Sequence, residues 1–275
     1  MGGLGNQLFQ IFTTIAYGIK SNNQFRFLNV DTLGGGSTTV RHTYWTTLLS
    51  KLRPFLLKEF PKVRVFKEDG FPFKDLNVQE MRQIDVLLCG YFQSYKYFQP
   101  HYNIICRVID LNKTREELMT KLNVAPEYFS NMISMHFRIG DYKKIQEYHP
   151  LATYEYYDRS LEHMRNTHPS VSFTVLYFCE DVDIADVMAI IDRLTAKYPE
   201  YKFTRDKNAL ADWEQLLLMS CCHHNIIANS SFSWWAAYFN THADKIVCYP
   251  SVWFGAIAKN DTRDLCPPQW LRVQV

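Results

Sequence analysis

Along this chain the spacing of apolar residues switches between a helical and a strand period, and in the second half it does so with regularity. Leu8, Phe12, Ile15, Ala16 and Ile19 share one face of a 3.6-residue repeat, which predicts a helix directly after Met1-Gly2-Gly3-Leu4-Gly5-Asn6-Gln7. Strand-like runs follow at Phe25 to Val30, Val63 to Phe66 and Val86 to Tyr91. Between them lie a Gly34-Gly35-Gly36-Ser37-Thr38-Thr39 stretch that reads as a mobile surface loop and an aromatic segment from Tyr44 to Phe60. Thr114 and Glu117 have capping-box spacing and predict a helix start running toward Leu122. Pro126 then interrupts the chain, and the domain boundary is placed there.

Beyond it, Ile133, Met135 and Phe137 alternate with Ser134, His136 and Arg138 until Gly140-Asp141 breaks the period, so a strand ends on polar side chains. Helices are predicted from about Tyr154 to Arg165, Ile184 to Lys197, Leu210 to Cys222 and Phe232 to Phe239. Strands are predicted at Phe173 to Phe178, Tyr201 to Phe203, Asn225 to Ala228 and Lys245 to Tyr249. Strands alternating with helices imply parallel βαβ units in a doubly wound α/β sheet. The glycine-rich opening is peculiar in that context. Such a loop normally follows a strand, yet only Met1 precedes it, so the sheet is expected to lack its first strand and to leave an edge unprotected or filled by another segment.

Composition narrows the classes. With 275 residues, 47% hydrophobic and 15% aromatic, the chain can bury a large core in one large or two smaller domains. A net charge of +2, from 30 basic and 28 acidic residues, gives no footprint for nucleic acid or a polybasic membrane surface, so partners are expected to be small or neutral. No run approaches the roughly 18 apolar residues of a membrane span, and no signal peptide opens the sequence. The chain as given is expected to be soluble and cytoplasmic, with a membrane or Golgi location only if an upstream anchor has been removed. Seven cysteines without CxxC pairs favour reduced core thiols. Cys221-Cys222-His223-His224 suggests a metal at first sight, but neighbours on a helix point about 100° apart and cannot all face one ion. Sequons at Asn112, Asn229 and Asn260 read as coincidence in such a chain.

Ligands of open α/β sheets bind beyond the carboxyl ends of the strands, which puts His136, Arg138 and Asp141 where a ligand would sit. Arg138 suits a phosphate, because its planar fork donates two hydrogen bonds and stays charged; a surface ion pair without function is the alternative. The opening glycine loop offers a helix N-terminus to an anion, or is simply a helix start; it is neither a Walker loop nor a complete dinucleotide fingerprint. Glu180 and Asp181, after the next strand, could accept from a ribose hydroxyl or the guanine edge, or cap a helix. Asn229-Ser230-Ser231-Phe232-Ser233 opens a helix with hydroxyls, as a second anion site or as ordinary caps. Tyr91-Phe92-Gln93-Ser94-Tyr95-Lys96-Tyr97-Phe98 would serve as a sugar platform or as a packed loop.

Taken together, Gly2-Gly3-Leu4-Gly5-Asn6-Gln7-Leu8-Phe9-Gln10, then His136-Phe137-Arg138-Ile139-Gly140-Asp141-Tyr142, then Cys222 through Trp235, and finally Tyr249-Pro250-Ser251-Val252-Trp253 with Pro268-Gln269-Trp270, resemble the α-1,2-fucosyltransferases of glycosyltransferase family eleven across the whole chain. The resemblance implies a GT-B-like architecture, two Rossmann-like domains facing across a cleft, with residues 1–126 on the acceptor side and 127–275 binding GDP-fucose. It implies transfer to the 2-hydroxyl of a galactose-type glycan acceptor with inversion, and neither metal nor cofactor. Arg138, Asn6 and Asp141 would be catalytic. Gly3, Gly5, Gln7, His136, Tyr142, Glu180, Asp181, Asn229, Ser230, Ser231, Phe232 and Ser233 would bind the donor. Asp141, Glu147 and His149 are the base candidates. Ile139 stands where family members usually carry a second arginine, and related protein O-fucosyltransferases also carry an apolar residue there, which leaves the first arginine as the essential one. Two rival readings stand beside this one. A catalytically weak or inactive GDP-sugar-binding protein would keep the fold, and an NAD-dependent oxidoreductase is disfavoured by the incomplete glycine pattern, although Asp31 follows the next strand.

Overall fold

The computed structural model describes residues 2–35, 39–59, 62–76, 85–206 and 209–275. Gly36, Ser37 and Thr38 of the expected mobile loop, and Phe60 at the end of the aromatic segment, lie outside them. The chain forms two compact units, Met1–Glu117 with Asn260–Pro267, and Leu118–Lys259 with Pro268–Val275. The division thus falls after Glu117, inside a helix rather than near Pro126, and a short C-terminal segment returns to the first unit.

In the first unit, α1 (Leu4–Ser21) buries Leu4, Leu8, Phe9, Ile11, Phe12 and Ile15. The helix ends because Asn22 adopts φ 56° and its N–H turns back to Gly18 O and Ile19 O, the left-handed cap that a short polar side chain tolerates. β1 (Phe27–Leu28) pairs parallel with β4 (Leu56–Leu57), β2 (Thr32–Leu33) antiparallel with β3 (Arg41–His42), and β5 (Arg64–Lys67) parallel with β6 (Val86–Cys89). Phe92, Tyr95 and Phe98 are buried, and Phe98 packs on Phe9 and Phe12 at 6.0 and 5.5 Å between ring centres. The aromatic stretch is therefore largely a packed loop, with Tyr91 left exposed. α2 (Tyr102–Val108), which no sequence period announced, packs on α1 and leads into α3 (Leu111–Leu122). α3 begins three residues before the expected capping box. Thr114 is inside the helix, and its hydroxyl donates to Asp110 O at 3.1 Å instead of capping.

The second unit holds one fully parallel sheet. β7 (Met132–His136), β8 (Thr174–Phe178), β9 (Lys202–Arg205), β10 (His224–Ile226), β11 (Val247–Pro250) and β12 (Leu271–Val273) lie in the order β9-β8-β7-β10-β11-β12. That is the 3-2-1-4-5-6 order of a dinucleotide-type Rossmann sheet, whose direction of winding reverses between β7 and β10. α4 (Tyr154–Thr167), α5 (Ile184–Lys197), α6 (Asp212–Cys221) and α7 (Ser231–Phe239) make the crossovers, while β11 reaches β12 without a helix. Ile133, Met135 and Phe137 face a core built with Tyr156, Tyr157, Leu161, Val187, Ile191 and Leu194.

The intervening positions of β7 are buried as well, so its alternation marks two covered faces and not a wet edge. Ser134 shows how the polar face is made tolerable. Asn225 Nδ2 donates to Ser134 Oγ at 2.7 Å and to Met219 O at 3.0 Å, while Asn240 Nδ2 donates to Asn225 Oδ1 at 2.8 Å and to Cys222 O at 2.8 Å. Tyrosines of α4 close the strand ends: Tyr156 donates to Ile227 O (2.6 Å) and Cys248 O (3.0 Å), Tyr157 to His136 O (3.0 Å). The tyrosine hydroxyls thus tie α4 to carbonyls at the carboxyl edge, Cys248 O accepting from Ile227 N at 2.9 Å as well. Among the described residues no helix is long and apolar enough to cross a membrane.

Candidate active site

Three adjacent strands deliver side chains to the carboxyl edge of the sheet in the second unit. β7 runs into Phe137-Arg138-Ile139, β8 into Cys179-Glu180-Asp181, and β10 into Ile227-Ala228-Asn229-Ser230 before α7. Phe137 N donates to Phe178 O at 2.8 Å, which carries the β7–β8 register one step past the strands and brings Arg138 beside Glu180.

The guanidinium of Arg138 is the hub. Its Nη1 donates to Glu180 Oε1, its Nη2 to Asp141 Oδ1, and its carbon lies 5.0 Å from the centre of the Tyr142 ring. The Arg138 side chain is 19% exposed, whereas those of Glu180 and Asp141 are 55% and 56% exposed, so water and not the protein solvates the acidic ends. Burial alone disfavours the charged guanidinium, but Asp141 and Glu180 outweigh it and raise its pKa above the ordinary value. The fork is held in one orientation from two sides, and its five donors are not exhausted by two carboxylate oxygens.

Gly140 makes that geometry possible. It sits at φ +31°, and a Cβ there would lie 3.3 Å from Glu180 Oε2 and 3.6 Å from Arg138 Nη1. Its N–H donates to Asp183 Oδ2 at 2.7 Å. Asp183 is buried at the start of α5 and was missed in the sequence, where only its neighbours Glu180 and Asp181 were singled out. Asp181 itself is 92% exposed and pairs with Arg205 at the end of β9.

On the other side of β7, the Tyr142 hydroxyl donates to Asn229 O at 3.4 Å, and the His136 and Phe232 rings lie 5.5 Å apart, so the two strand ends at the winding reversal meet. The side chains of the β10–α7 turn are mostly committed to structure. Asn229 Nδ2 donates to Pro150 O (2.9 Å) and Trp253 O (3.1 Å), Ser230 Oγ accepts from Phe232 N as the helix cap (3.3 Å), and Ser233 Oγ faces Ala228 O and Ser230 O. What this turn offers a ligand is the amino end of α7, with its positive dipole, beside Arg138's loop. His149 stacks on Tyr142 at 4.5 Å with Phe254 behind it, and burial lowers its pKa. Arg138, His136, Asp141, Tyr142, Glu180, Asn229 and Phe232 are therefore brought together in this unit.

In the first unit the glycine loop is a separate small construction. Gln7 is buried and spends its amide N–H groups on Gly2 O (3.1 Å) and His42 O (2.7 Å), which pins the loop. Gly3 is the N-cap of α1 without a side-chain cap, and open space lies where its Cβ would be. Gly5 is buried in the first turn. Asn6 Oδ1 accepts from Gln93 Nε2 at 2.7 Å, a contact across 87 residues that no local pattern announces.

Cys221, Cys222, His223 and His224 go separate ways. The two thiols donate to Leu217 O and Leu218 O, His223 lies between Ser130 O and Asp244, and His224 Nδ1 accepts from Ile246 N at 3.0 Å. None of the seven cysteines is joined in a disulfide.

Burial pushes the imidazoles of His136 and His224 down to about 3, helped by Arg138 in the first case and His223 in the second. An unfolded histidine titrates near 6.5, so between roughly pH 6.5 and 3 the unfolded chain binds protons that the folded chain refuses. Stability therefore falls as pH drops through that window, by up to about 1.4 kcal/mol per pH unit for each histidine. Urea midpoints at pH 7 and pH 5 are expected to differ accordingly, with the lower one at pH 5. Equal midpoints would show that neither imidazole is held neutral.

The family described as Glycosyl transferase family 11 matches residues 6–273. An alpha-1,2-colitosyltransferase from Escherichia coli is 26% identical over 296 aligned positions, covering 99% of this chain and 97% of that protein. The O-antigen biosynthesis glycosyltransferase WbnK, also from Escherichia coli, is 28% identical over 192 positions, 68% of this chain and 60% of that protein. Among solved structures, a glycosyl transferase family 9 protein from Veillonella parvula DSM 2008 is 10% identical with a TM-score of 0.35, covering 58% of this chain and 39% of that one.

Proposed function

The chain belongs to glycosyl transferase family 11, and from that premise we propose that it moves L-fucose from GDP-fucose to the 2-hydroxyl of a galactose-type residue in a glycan, inverting the anomeric centre. The observation that carries this reading is Arg138, clamped at the end of the central strand where the winding reverses, with the amino end of α7 beside it. The acceptor oxygen attacks the anomeric carbon as the bond from that carbon to the β-phosphate oxygen breaks. The electron pair stays on GDP, and the acceptor proton leaves to a base among Asp141, Glu147 and His149 or to water. Negative charge grows on the pyrophosphate, which is where a fixed guanidinium and a helix dipole stabilise the transition state. These supply positive charge without a metal ion. The alpha-1,2 linkage in the name of the colitosyltransferase supports the 2-hydroxyl as acceptor.

Guanine is assigned to the end of β8. Glu180 and Asp181 each use one oxygen on an arginine, and the second can accept from guanine N1–H and N2–H₂, donors that uracil does not pair in that way. Asn6 in the glycine loop is assigned to the fucose and the incoming hydroxyl. The second reading, a GDP-sugar-binding protein with little turnover, draws on the fact that Arg138 is already paired with two carboxylates.

Thermal unfolding tests this. GDP at a hundred times its dissociation constant adds about 2.7 kcal/mol, a rise of several degrees in a chain of this size. UDP and NAD are expected to give no rise, and a metal chelator is expected to leave the GDP shift in place. A shift with NAD and none with GDP would overturn the reading. A GDP shift without transfer from GDP-fucose to a galactose-terminated disaccharide such as lactose would select the binding protein instead. Loss of the shift in chelator, restored by magnesium or manganese, would refute the metal-free site.

A further inference from the structure

We propose that Asp183 is a positioning residue for Arg138, the one that holds the two arms of the guanidinium clamp in register; this rests on the role given to Arg138 above. One arm is Asp141, in the turn Gly140–Lys144, and the other is Glu180, just past β8. Asp183 is bonded to both segments. Its Oδ2 accepts from Gly140 N at 2.7 Å, and its own N–H donates to Glu180 O at 3.0 Å. Two carboxylates from separate loops are thereby set against each other through a single residue.

The bond to Gly140 is not the one that the place of Asp183 in the chain favours. Asp183 precedes α5 directly, where an aspartate ordinarily accepts from N–H groups of its own helix, yet its side chain makes no such cap bond. The carboxylate is spent on a turn 43 residues away, and the residue is only 3% exposed, so little water competes for that contact. A second tie from the same turn to α5, Lys143 to Asp186, is exposed at both ends and weakened by water. The consequence lies in the groups after Gly140. Tyr142 N donates to Ile139 O at 2.8 Å, so the turn that hangs from Asp183 also sets the Tyr142 ring, 5.0 Å from the Arg138 guanidinium carbon. Phe137 and Ile139 are buried in the core, which fixes the Arg138 backbone but leaves the direction of its long side chain to its partners. With Gly140 released, Asp141 and Tyr142 would shift together and the guanidinium would follow Glu180 alone. A displacement of about 1 Å is enough to cost a large factor in rate.

Substitutions at Asp183, assayed with GDP-fucose and lactose beside thermal melts, test the inference. Asp183→Asn keeps an oxygen acceptor where Gly140 N needs one, and kcat is expected to stay within about threefold of the parent. Asp183→Ser is as good a helix cap, but its hydroxyl is one bond too short to reach Gly140. It is expected to lower kcat about tenfold or more while the donor KM stays within about threefold. Asp183→Ala carries the same expectation if the serine variant fails to fold. In an Arg138→Lys background, Asp183→Ser is expected to cost no more than about twofold further, because the group it positions is gone. Asp186→Asn, which cuts only the exposed tie, is expected to leave kcat unchanged. Equal kcat for Asp183→Asn and Asp183→Ser would overturn the role of Asp183, since a residue that merely caps α5 gives that result. Multiplied losses in the double variant would do the same, as would an Asp186→Asn loss as large as that of Asp183→Ser. Full activity of Arg138→Lys would instead overturn the reading of Arg138, and the inference with it.

Discussion

Arg138→Lys is expected to lower fucosyl transfer by about a hundredfold or more while the chain stays folded, equivalent to about 2.7 kcal/mol of transition-state stabilisation. The guanidinium reaches Glu180 with one terminal nitrogen and Asp141 with the other, and under the proposed function the rest of its fork meets phosphate oxygens. A lysine ammonium is a single point at the end of a flexible stem. It can follow one carboxylate or the phosphate, but it cannot hold the planar arrangement that serves all three. The fold should survive because Glu180 and Asp141 are more than half exposed and water takes over their solvation. Steady-state kcat/KM on GDP-fucose, paired with a thermal melt, decides the matter. Turnover of the lysine variant within a few-fold of the parent would remove Arg138 from the mechanism.

The largest stability effect is expected away from the site, at Asn240. Its Nδ2 donates to Asn225 Oδ1 (2.8 Å), Cys222 O (2.8 Å) and His223 O (3.1 Å), and its Oδ1 accepts from His242 N (2.9 Å). These bonds join the ends of α6 and α7 to β10 and, through Asn225, to Ser134 on β7. Asn240→Ala leaves Asn225 Oδ1 and a backbone carbonyl buried without a donor, and each such orphan costs about 1–3 kcal/mol. A loss of about 2–4 kcal/mol is expected, read as a lower urea midpoint at unchanged slope. The exposed pair Lys143–Asp186 provides the contrast, since Lys143→Ala should leave the urea midpoint essentially unchanged. An Asn240→Ala loss below about 1 kcal/mol would mean that water reaches these groups and that the network is not closed.

Much of the second unit was legible because its signals are local. β7, β8, β10 and β11 lie within the predicted strands to within a few residues, and α4 through α7 within the predicted helices, since each is long or apolar enough to show its period. β12 escaped notice because Leu271–Val273 is three residues long and has no helix before it. α2 escaped because Tyr102–Val108 buries only Ile105, which leaves no stripe to read. The capping box at Thr114 misled for a physical reason. Threonine hydroxyls serve a helix interior as well as a cap, by donating to the carbonyl four residues back.

The amino-acid sequence by itself determined the α/β class, the motif order that places the chain in its family, and the position of Arg138 at the end of a buried strand. All of these are properties of neighbours along the chain, where periodicity and steric preference act directly. Only the tertiary structure decided which strands lie side by side, and hence that Arg138 meets Glu180 across 42 residues, that Gly140 hangs on Asp183 and not on Asp181, and that Gln93 holds Asn6. It also decided that Asn229 and Ser233 are spent on backbone groups, because the carbonyls they satisfy belong to turns that fold against them. Hydrogen bonds between distant residues leave no period in the sequence; they are selected when strand register and burial make any other partner for those groups more costly.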